Sequence, residues 1–238
     1  MLMSFIELNN KVNMRKENGF FNLEADKEAI VAYMEEEITP NLKRFPTVKE
    51  FIDYMLDNDF YYSQLLEEYS IEEIEELTTL IYSYNFEFDS FMAISKFFRD
   101  YSLKSNDKKT YLETYEDRII IVALYLSRGN IEAAKSLAVS MIEQRYQPAT
   151  PTFLNAGRSR RGEMVSCFLL ETDDSLNSIN YIDSTAKQLS KIGGGVAINL
   201  SKVRARGEAI KGIEGVAKGI LPVAKALENG FSYADQLG

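Results

Sequence analysis

Histidine is absent from the 238 residues, and cysteine occurs once, as Cys167. Without histidine, the chain cannot by itself build a His-dependent metal site, a Ser/His hydrolase site or a Cys/His protease site. A single cysteine excludes an internal disulfide and a CxxC redox motif. An unpaired thiol is typical of proteins in a reducing compartment, so we expect a cytoplasmic protein.

Long apolar runs and an excess of basic charge are also missing. No stretch approaches the 18 or so continuous apolar residues of a membrane helix, and the first residues, MLMSFIELNNK, do not have the pattern of a signal peptide. The net charge is −9, divided as −11 over residues 1–154 and +2 over residues 155–238. Because duplex DNA and anionic membranes require a basic surface, we expect neither as a partner. The more basic rear of the chain is the better place for a small anionic ligand.

The first 150 residues have helical patterns. Residues 26–37 place apolar side chains at helical spacing, with acidic residues outside. Residues 47–50 (Thr-Val-Lys-Glu) and 70–73 (Ser-Ile-Glu-Glu) have the spacing of capping boxes, and each precedes an apolar stripe. These patterns predict a mostly helical front part.

The strongest helical signal is a hairpin over residues 115–145. Residues 115–128 are strongly apolar and stop at Gly129, a residue that commonly follows a helix. Asn130 is then expected to cap a second helix, whose apolar residues recur at helical spacing.

Prolines limit the helices that follow. Residues 147–157 cannot be helical throughout, because Pro148 and Pro151 each disfavour helical conformation in the preceding residue. A further helical stretch is expected over residues 212–236, interrupted at Pro222.

A βαβ unit is predicted in the rear part. Residues 165–170 (VSCFLL) form a short apolar run without polar alternation, which predicts a strand buried on both faces. A helix over 174–191, a glycine turn at 193–195 and a second strand over 196–200 complete the unit, with parallel strands. Two strands cannot bury both faces of a sheet, so we expect the chain to end inside a larger α/β domain.

Several ordered segments resemble one family. They are YEDRIIIVALYLSRGN (115–130), QPATPTFLNAG (147–157), RRGEMVSCFLLETDDSLNSI (160–179), KIGGGVAINLSKVRARGEAIKG (191–212) and FSYADQLG (231–238). These segments closely resemble the large subunit of class Ib ribonucleotide reductase. The resemblance implies an α/β protein, with a mostly helical N-terminal domain followed by the first strands and helices of an incomplete ten-stranded α/β barrel. The expected domains are an N-terminal helical domain (1–90), a helical pre-barrel domain (91–160) and the start of the barrel (161–238).

The resemblance also implies a reaction, the reduction of ribonucleoside diphosphates at the 2′ carbon by radical chemistry. It assigns Cys167 as one of two reductant cysteines. Substrate contacts are expected from Thr150, Ser166, Cys167 and Gly195. A nucleoside triphosphate effector is expected at Asp174, Ser175, Leu176, Arg204 and Lys211. No metal site and no directly bound cofactor are expected in this chain.

The partners that the resemblance implies lie outside the chain. A dimetal small subunit would supply the radical, a thioredoxin-like or glutaredoxin-like protein the reducing equivalents, and a C-terminal fragment the rest of the barrel. A homodimer is expected when the subunit is complete. Because the second reductant cysteine is absent, we expect this chain alone to be inactive. The alternatives are an inert helical interaction fragment and a stand-alone nucleotide-binding module.

The individual residues have ordinary structural interpretations as well. A lone cysteine in a strand is usually a small buried apolar residue. Asp174 would serve as an N-cap, and Arg204 and Lys211 as solvated charges. Ser166 and Cys167 are adjacent on a strand and therefore face opposite sides, so Ser166 would contact the substrate by its backbone or its hydroxyl. A tight turn explains Gly193 but leaves Gly195 unexplained, and we expect a ligand to lie against the backbone of Gly195.

Overall fold

The computed structural model describes residues 4–12, 14–160, 162–192, 194–232 and 234. They fall into two compact units, the first formed by Met1–Pro148 with Ala156–Arg160 and the second by Ala149–Asn155 with Arg161–Gly238. In the part of the chain that the structure describes, no helix has both the length and the apolar content needed to cross a bilayer.

The first unit is helical, as predicted. Its helices are α1 (Phe5–Val12), α2 (Leu23–Tyr33), α3 (Val48–Asp57), α4 (Leu65–Glu68), α5 (Ile71–Tyr82), α6 (Phe91–Lys96), α7 (Tyr115–Ser127) and α8 (Ile131–Ile142). The helix predicted over 26–37 is present, but its last part is a π-helical turn, Met34–Ile38. A short 3-10 turn, Thr39–Asn41, follows it, and a second π-helical turn, Phe97–Tyr101, extends α6.

Both predicted N-caps form, but only the one at α5 is a complete capping box. At α5 the Ser70 hydroxyl accepts from the Glu73 N–H, and the Glu73 carboxylate accepts from the Ser70 N–H, which is the predicted capping box. At α3 the Thr47 hydroxyl accepts from the Glu50 N–H over 3.1 Å and also faces the Glu50 carboxylate. Each cap satisfies N–H groups that have no partner within the first helical turn.

The predicted hairpin of α7 and α8 is confirmed. Helix α7 ends one residue before the expected position, because Arg128 already adopts a left-handed conformation with φ of 47°, followed by Gly129 with φ of 80°. The Asn130 side chain then accepts from the Ala133 N–H and caps α8. The apolar side chains of α7 are buried almost without interruption, which places this helix in the core of the first unit.

The second unit contains the predicted βαβ arrangement. Its elements are α9 (Thr150–Asn155), β1 (Cys167–Glu171), α10 (Leu176–Lys191), β2 (Gly195–Asn199) and α11 (Ile220–Phe231). The two strands are parallel, and their register pairs Cys167 with Gly195 at one end and Glu171 with Asn199 at the other. Residues 147–149 are not helical and α9 begins at Thr150, so the segment 147–157 is only partly helical, as predicted.

The prediction that β1 is buried on both faces is wrong. Exposed and half-buried residues alternate along the strand, and Leu169 is 83% exposed. Helix α10 packs against both strands, and the alternating exposure along β1 shows that only one of its faces is partly covered. A continuous apolar run signals the burial that a sheet requires, and the described residues supply that burial only on one face.

Two helix starts also differ from the predictions. Helix α10 is capped by Ser175, whose hydroxyl accepts from the Ser178 N–H, and not by Asp174. Helix α11 begins at Ile220, so Pro222 lies in its first turn, where a missing N–H removes no helical hydrogen bond. The expected interruption at Pro222 is therefore wrong. Gly193 and Gln236, which belonged to the predicted turn and helix, lie outside the described residues.

Candidate functional site

Cys167 and Gly195 lie opposite each other where the two parallel strands begin. The Gly195 N–H donates to the carbonyl oxygen of Ser166 over 3.0 Å, which holds the two strand starts side by side. The thiol of Cys167 is exposed, so it is not the buried apolar residue of the alternative interpretation. The structure thus brings three of the expected substrate residues together around one accessible thiol.

The glycines beside this thiol differ in what they require. A Cβ atom on Gly194 would collide with the ring of Phe168, so packing within the chain explains that glycine. A Cβ atom on Gly195 would come no closer than 3.6 Å to any neighbouring atom, the nearest being the Ser166 carbonyl oxygen. That is an ordinary van der Waals distance. Nothing in the described chain therefore demands glycine at position 195, and its bare backbone is accessible to a ligand.

Ser166 and Thr150 have exposed side chains on either side of the α9–β1 connection. Ser166 precedes β1, its carbonyl oxygen accepts from the Gly195 N–H, and its side chain is exposed. Thr150 is the first residue of α9. This helix is tied to the residues before β1, because Thr152 Oγ1 donates to the Met164 carbonyl over 3.1 Å and Asn155 Nδ2 to the Glu163 carbonyl over 3.0 Å.

Two of the expected effector residues bind each other. Arg204 Nε donates to Asp174 Oδ2 over 2.7 Å, and the Arg204 backbone N–H donates to Asp174 Oδ1 over 3.2 Å. These bonds, first from the backbone and then from the guanidinium, lower the pKa of Asp174 below its ordinary value. Arg204 Nη1 also donates to the Ala209 carbonyl over 2.8 Å, which orients the guanidinium.

The other three effector residues surround this pair less closely. Ser175 caps α10, and Leu176, the first residue of that helix, is 72% exposed. Lys211 is exposed and has a left-handed backbone with φ of 52°, within a tight turn closed by Ile210 and Ile213. No contact of Lys211 with Asp174 or Arg204 is found among the described residues.

Lys202 is a charged neighbour that the sequence analysis missed. Its ammonium group lies 3.2 Å from Glu171 and 3.2 Å from Asp173. Asn199 Nδ2 donates to the same Glu171 carboxylate over 3.3 Å. The sequence could have predicted this contact, because the carboxyl ends of parallel strands lie at the same edge of a sheet. Charged residues that directly follow β1 and β2 are therefore expected to lie close together.

The two groups of residues occupy opposite ends of the short sheet. Cys167 and Gly195 begin the strands, whereas the cluster of Glu171, Lys202 and Asp174 follows their carboxyl ends. Four residue steps of parallel strand separate the ends by about 13 Å. The arrangement can therefore hold two different ligands, one against an exposed thiol and one against paired charges.

The first unit contains a cavity of about 430 Å³, and none of the expected site residues lines it. Apolar side chains such as Phe45, Phe51 and Ile74 form most of its wall, together with Tyr82 and Asp117. The expected site residues all belong to the second unit.

Comparison with protein-family models gives three consecutive matches. Residues 5–86 match the model described as ribonucleotide reductase N-terminal, residues 87–161 the all-alpha domain and residues 165–238 the barrel domain of ribonucleotide reductase. The three matches follow one another in chain order and belong to the same kind of enzyme.

Curated relatives agree with these matches. The chain is 52% identical over 235 residues to the ribonucleoside-diphosphate reductase NrdEB subunit alpha of Bacillus subtilis, covering 99% of this chain and 22% of that protein. It is 52% identical over 234 residues to the ribonucleoside-diphosphate reductase subunit alpha of the same organism, covering 98% and 33%. Its identity to the subunit alpha of Mycoplasma pneumoniae is 45% over 237 residues, covering 100% and 32%. The chain thus spans between 22% and 33% of the length of these relatives.

Proposed function

Because the chain belongs to the ribonucleotide reductase large-subunit family, we propose that it supplies part of the site where a ribonucleoside diphosphate is reduced to a deoxyribonucleotide. One observation carries the proposal. The exposed thiol of Cys167 lies directly opposite Gly195, a glycine that packing within the chain does not require.

Cys167 is proposed to give one of the two reducing equivalents. In the net reaction, the C2′–OH group and two thiols become C2′–H, one disulfide and water. The second thiol must come from another part of the large subunit, since this chain has only Cys167. A disulfide requires Cα atoms within about 4.4–6.8 Å of each other. An exposed position at the start of a strand leaves room for such a partner.

The remaining substrate contacts are proposed for Thr150, Ser166 and Gly195. The hydroxyl of Thr150 would bind the substrate phosphates, at the first turn of α9. The Ser166 hydroxyl and the Gly195 backbone would contact the nucleoside beside the thiol. The exposure of Thr150 and Ser166 and the free space at Gly195 support these roles.

The effector site is proposed at the carboxyl ends of the strands. Asp174 would accept from a ribose hydroxyl, Ser175 and Leu176 would line the site, and Arg204 and Lys211 would bind the triphosphate of the effector. The contact between Arg204 and Asp174 supports a common site, because it places one cation and one acceptor together. It also means that a bound triphosphate must compete with Asp174 for the guanidinium.

Activity is proposed to require further components. They are the remaining large-subunit barrel, a dimetal small subunit of the class Ib type that provides the radical, and a thioredoxin-like or glutaredoxin-like reductant. The complete subunit is proposed to act as a homodimer.

The test is a reconstitution. This chain would be mixed with the remaining barrel of a Bacillus subtilis relative, the small subunit and a dithiol reductant, and deoxyribonucleoside diphosphate would be measured. We expect product with the parent chain and with the control variant Ser136→Ala, which removes an exposed hydroxyl of α8. Cys167→Ser should abolish product formation. Equal activity with Cys167→Ser would contradict the proposal.

A further inference from the structure

A buried carboxylate in the first unit accepts hydrogen bonds from four residues that are far apart in the chain. Glu113 is fully buried, and its Oε1 accepts from the hydroxyl of Tyr61 over 2.8 Å and from Nη1 of Arg118 over 3.1 Å. Its Oε2 accepts from the Leu103 N–H over 3.0 Å and from Nη2 of Arg158. Arg118 is fully buried as well, and Arg158 is 7% exposed.

The same cluster fixes the segment Ala156–Arg160. Arg118 Nη2 donates to the Ala156 carbonyl, and Arg158 Nη2 donates to the Tyr101 carbonyl over 2.6 Å. Backbone hydrogen bonds add to this, since the Tyr62 N–H donates to the Gly157 carbonyl over 3.0 Å. Gly157 has φ of 76°, and a Cβ atom there would lie 2.5 Å from Cγ2 of Ile121. The segment therefore fits the first unit closely.

This cluster is a poor source of folding free energy. Two guanidinium groups and one carboxylate are buried together, so one positive charge has no counter-charge within the trio. In addition, Nε of Arg118 and Nε of Arg158 have no hydrogen-bond partner among the described residues. Desolvation of buried ions offsets most of their mutual attraction. Its role is geometric, because each hydrogen bond fixes the position of a particular chain segment.

The fixed segment joins two parts of the proposed substrate site. It follows α9, which begins with Thr150, and precedes the residues that lead to Ser166 and Cys167. Within the second unit these two flanks are joined to each other by Thr152 and Asn155, whose side chains donate to the carbonyls of Met164 and Glu163.

We propose that Glu113 and Arg158 are positioning residues of the reductase, which hold Ala156–Arg160 and through it Thr150 and Cys167. The proposal rests on the function proposed above only for the roles of Thr150 and Cys167. Neither positioning residue is proposed to touch the substrate.

Hydrogen exchange of the whole chain tests the proposal directly. In Arg158→Met we expect the amides of residues 150, 152–155 and 162–167 to exchange about tenfold faster, while those of α5 and α10 keep their parent rates. Leu77→Ala is the control, because it opens a cavity in the buried face of α5 and weakens the first unit elsewhere. It should accelerate exchange in α5 and leave residues 150–155 unchanged.

Two further variants make the outcome decisive. If Arg158→Met also accelerates exchange throughout α5, then Ser159→Ala takes its place, since it removes only the 2.6 Å hydrogen bond to the Tyr61 carbonyl. Arg158→Lys keeps the charge beside Glu113 and should restore part of the protection. Unchanged exchange at residues 150–155 and 162–167 in the decisive variant overturns the proposal.

The reconstituted enzyme gives the second readout. Arg158→Met should raise KM for the diphosphate about tenfold with a smaller change in kcat, because a displaced phosphate contact weakens substrate binding in the ground state and the transition state alike. A change in kcat alone would contradict a positioning role. If Cys167→Ser retains activity, the proposed function fails, whereas the exchange result still decides the role of Arg158.

Discussion

Arg204 Nε donates to Asp174 Oδ2 over 2.7 Å, so the two residues expected to bind one effector already neutralise each other. The pair joins the loop after β2 to the residues before α10. It explains why Asp174 does not cap α10, because its carboxylate is drawn to the Arg204 side chain and backbone N–H while Ser175 takes the cap. A ligand that binds here must replace this contact.

The first prediction concerns the ionisation of Asp174. The backbone N–H and the guanidinium of Arg204 both lower the pKa of Asp174, and Arg204→Met removes only the guanidinium, so we expect the pKa of Asp174 to rise part of the way toward its ordinary value. A lowered folded-state pKa contributes stability that is present above the unfolded-state pKa and is lost as pH falls through the folded-state pKa. Carboxyl chemical shifts followed during an acid titration measure the change. Lys202→Met is the control, since Lys202 pairs with Glu171 and Asp173 instead. An unchanged titration of Asp174 in Arg204→Met would contradict the prediction.

The second prediction concerns effector binding. We expect dTTP to bind the chain saturably in isothermal titration, and Arg204→Met to weaken its binding at least about tenfold, the loss of one charge-assisted bidentate contact. Asp174→Asn should have a smaller effect, because it removes a ribose acceptor but also frees the guanidinium for phosphate. Asp183→Asn, an acid of α10 that pairs with Lys187, provides the control and should leave affinity unchanged. Absence of saturation with the parent chain would remove the proposed effector site and the stand-alone nucleotide-binding alternative together.

The third prediction separates two adjacent glycines. Gly194→Ala should destabilise the second unit by about 1–3 kcal/mol, because its new methyl group must displace the ring of Phe168. Gly195→Ala should leave the melting temperature nearly unchanged, since the nearest atom to its Cβ is 3.6 Å away. In the reconstituted enzyme, however, Gly195→Ala should raise KM for the diphosphate. If Gly195→Ala binds substrate normally, no ligand lies against that backbone.

Local patterns predicted the elements whose causes are local. The Ser70 capping box, the Asn130 cap and the α7–α8 hairpin depend on residues within a few positions of one another, and all are present. The parallel pairing of the two strands followed from their separation by a helix. These elements need no knowledge of distant residues.

Non-local contacts account for what the sequence did not predict. Leu169 lies in an apolar run, but its exposure depends on which elements cover the sheet. Arg118 appears in the sequence as the polar edge of an apolar helix, and its complete burial depends on Glu113 and on Arg158, 40 positions later in the chain. For the candidate site, the family resemblance indicated which residues to consider, whereas the bond between Asp174 and Arg204 required the folded chain.

The fourth prediction concerns Asp117, the half-buried acid in the first turn of α7. Burial raises its pKa to about 6, against the opposing effect of hydrogen bonds from the Thr114 N–H and the Tyr82 hydroxyl. Because the folded-state pKa is above the unfolded-state value, the unfolded chain releases this proton first, and the contribution of Asp117 to stability falls as pH rises from about 4 to about 6.

Asp117→Asn should remove that dependence, since an amide oxygen can still accept from Thr114 and its NH₂ group can donate to Tyr82. The rise in the pKa of Asp117 to about 6 corresponds to a free energy of about 3 kcal/mol at most. Partial exposure of the carboxylate reduces this free energy to about 1 kcal/mol. Urea unfolding at pH 4 and pH 7 should therefore show Asp117→Asn gaining about 1 kcal/mol relative to the parent chain over that interval, with Glu116→Gln as the matched control. A difference in stability that is equal at both pH values would show that Asp117 ionises in the folded protein as readily as in the unfolded chain.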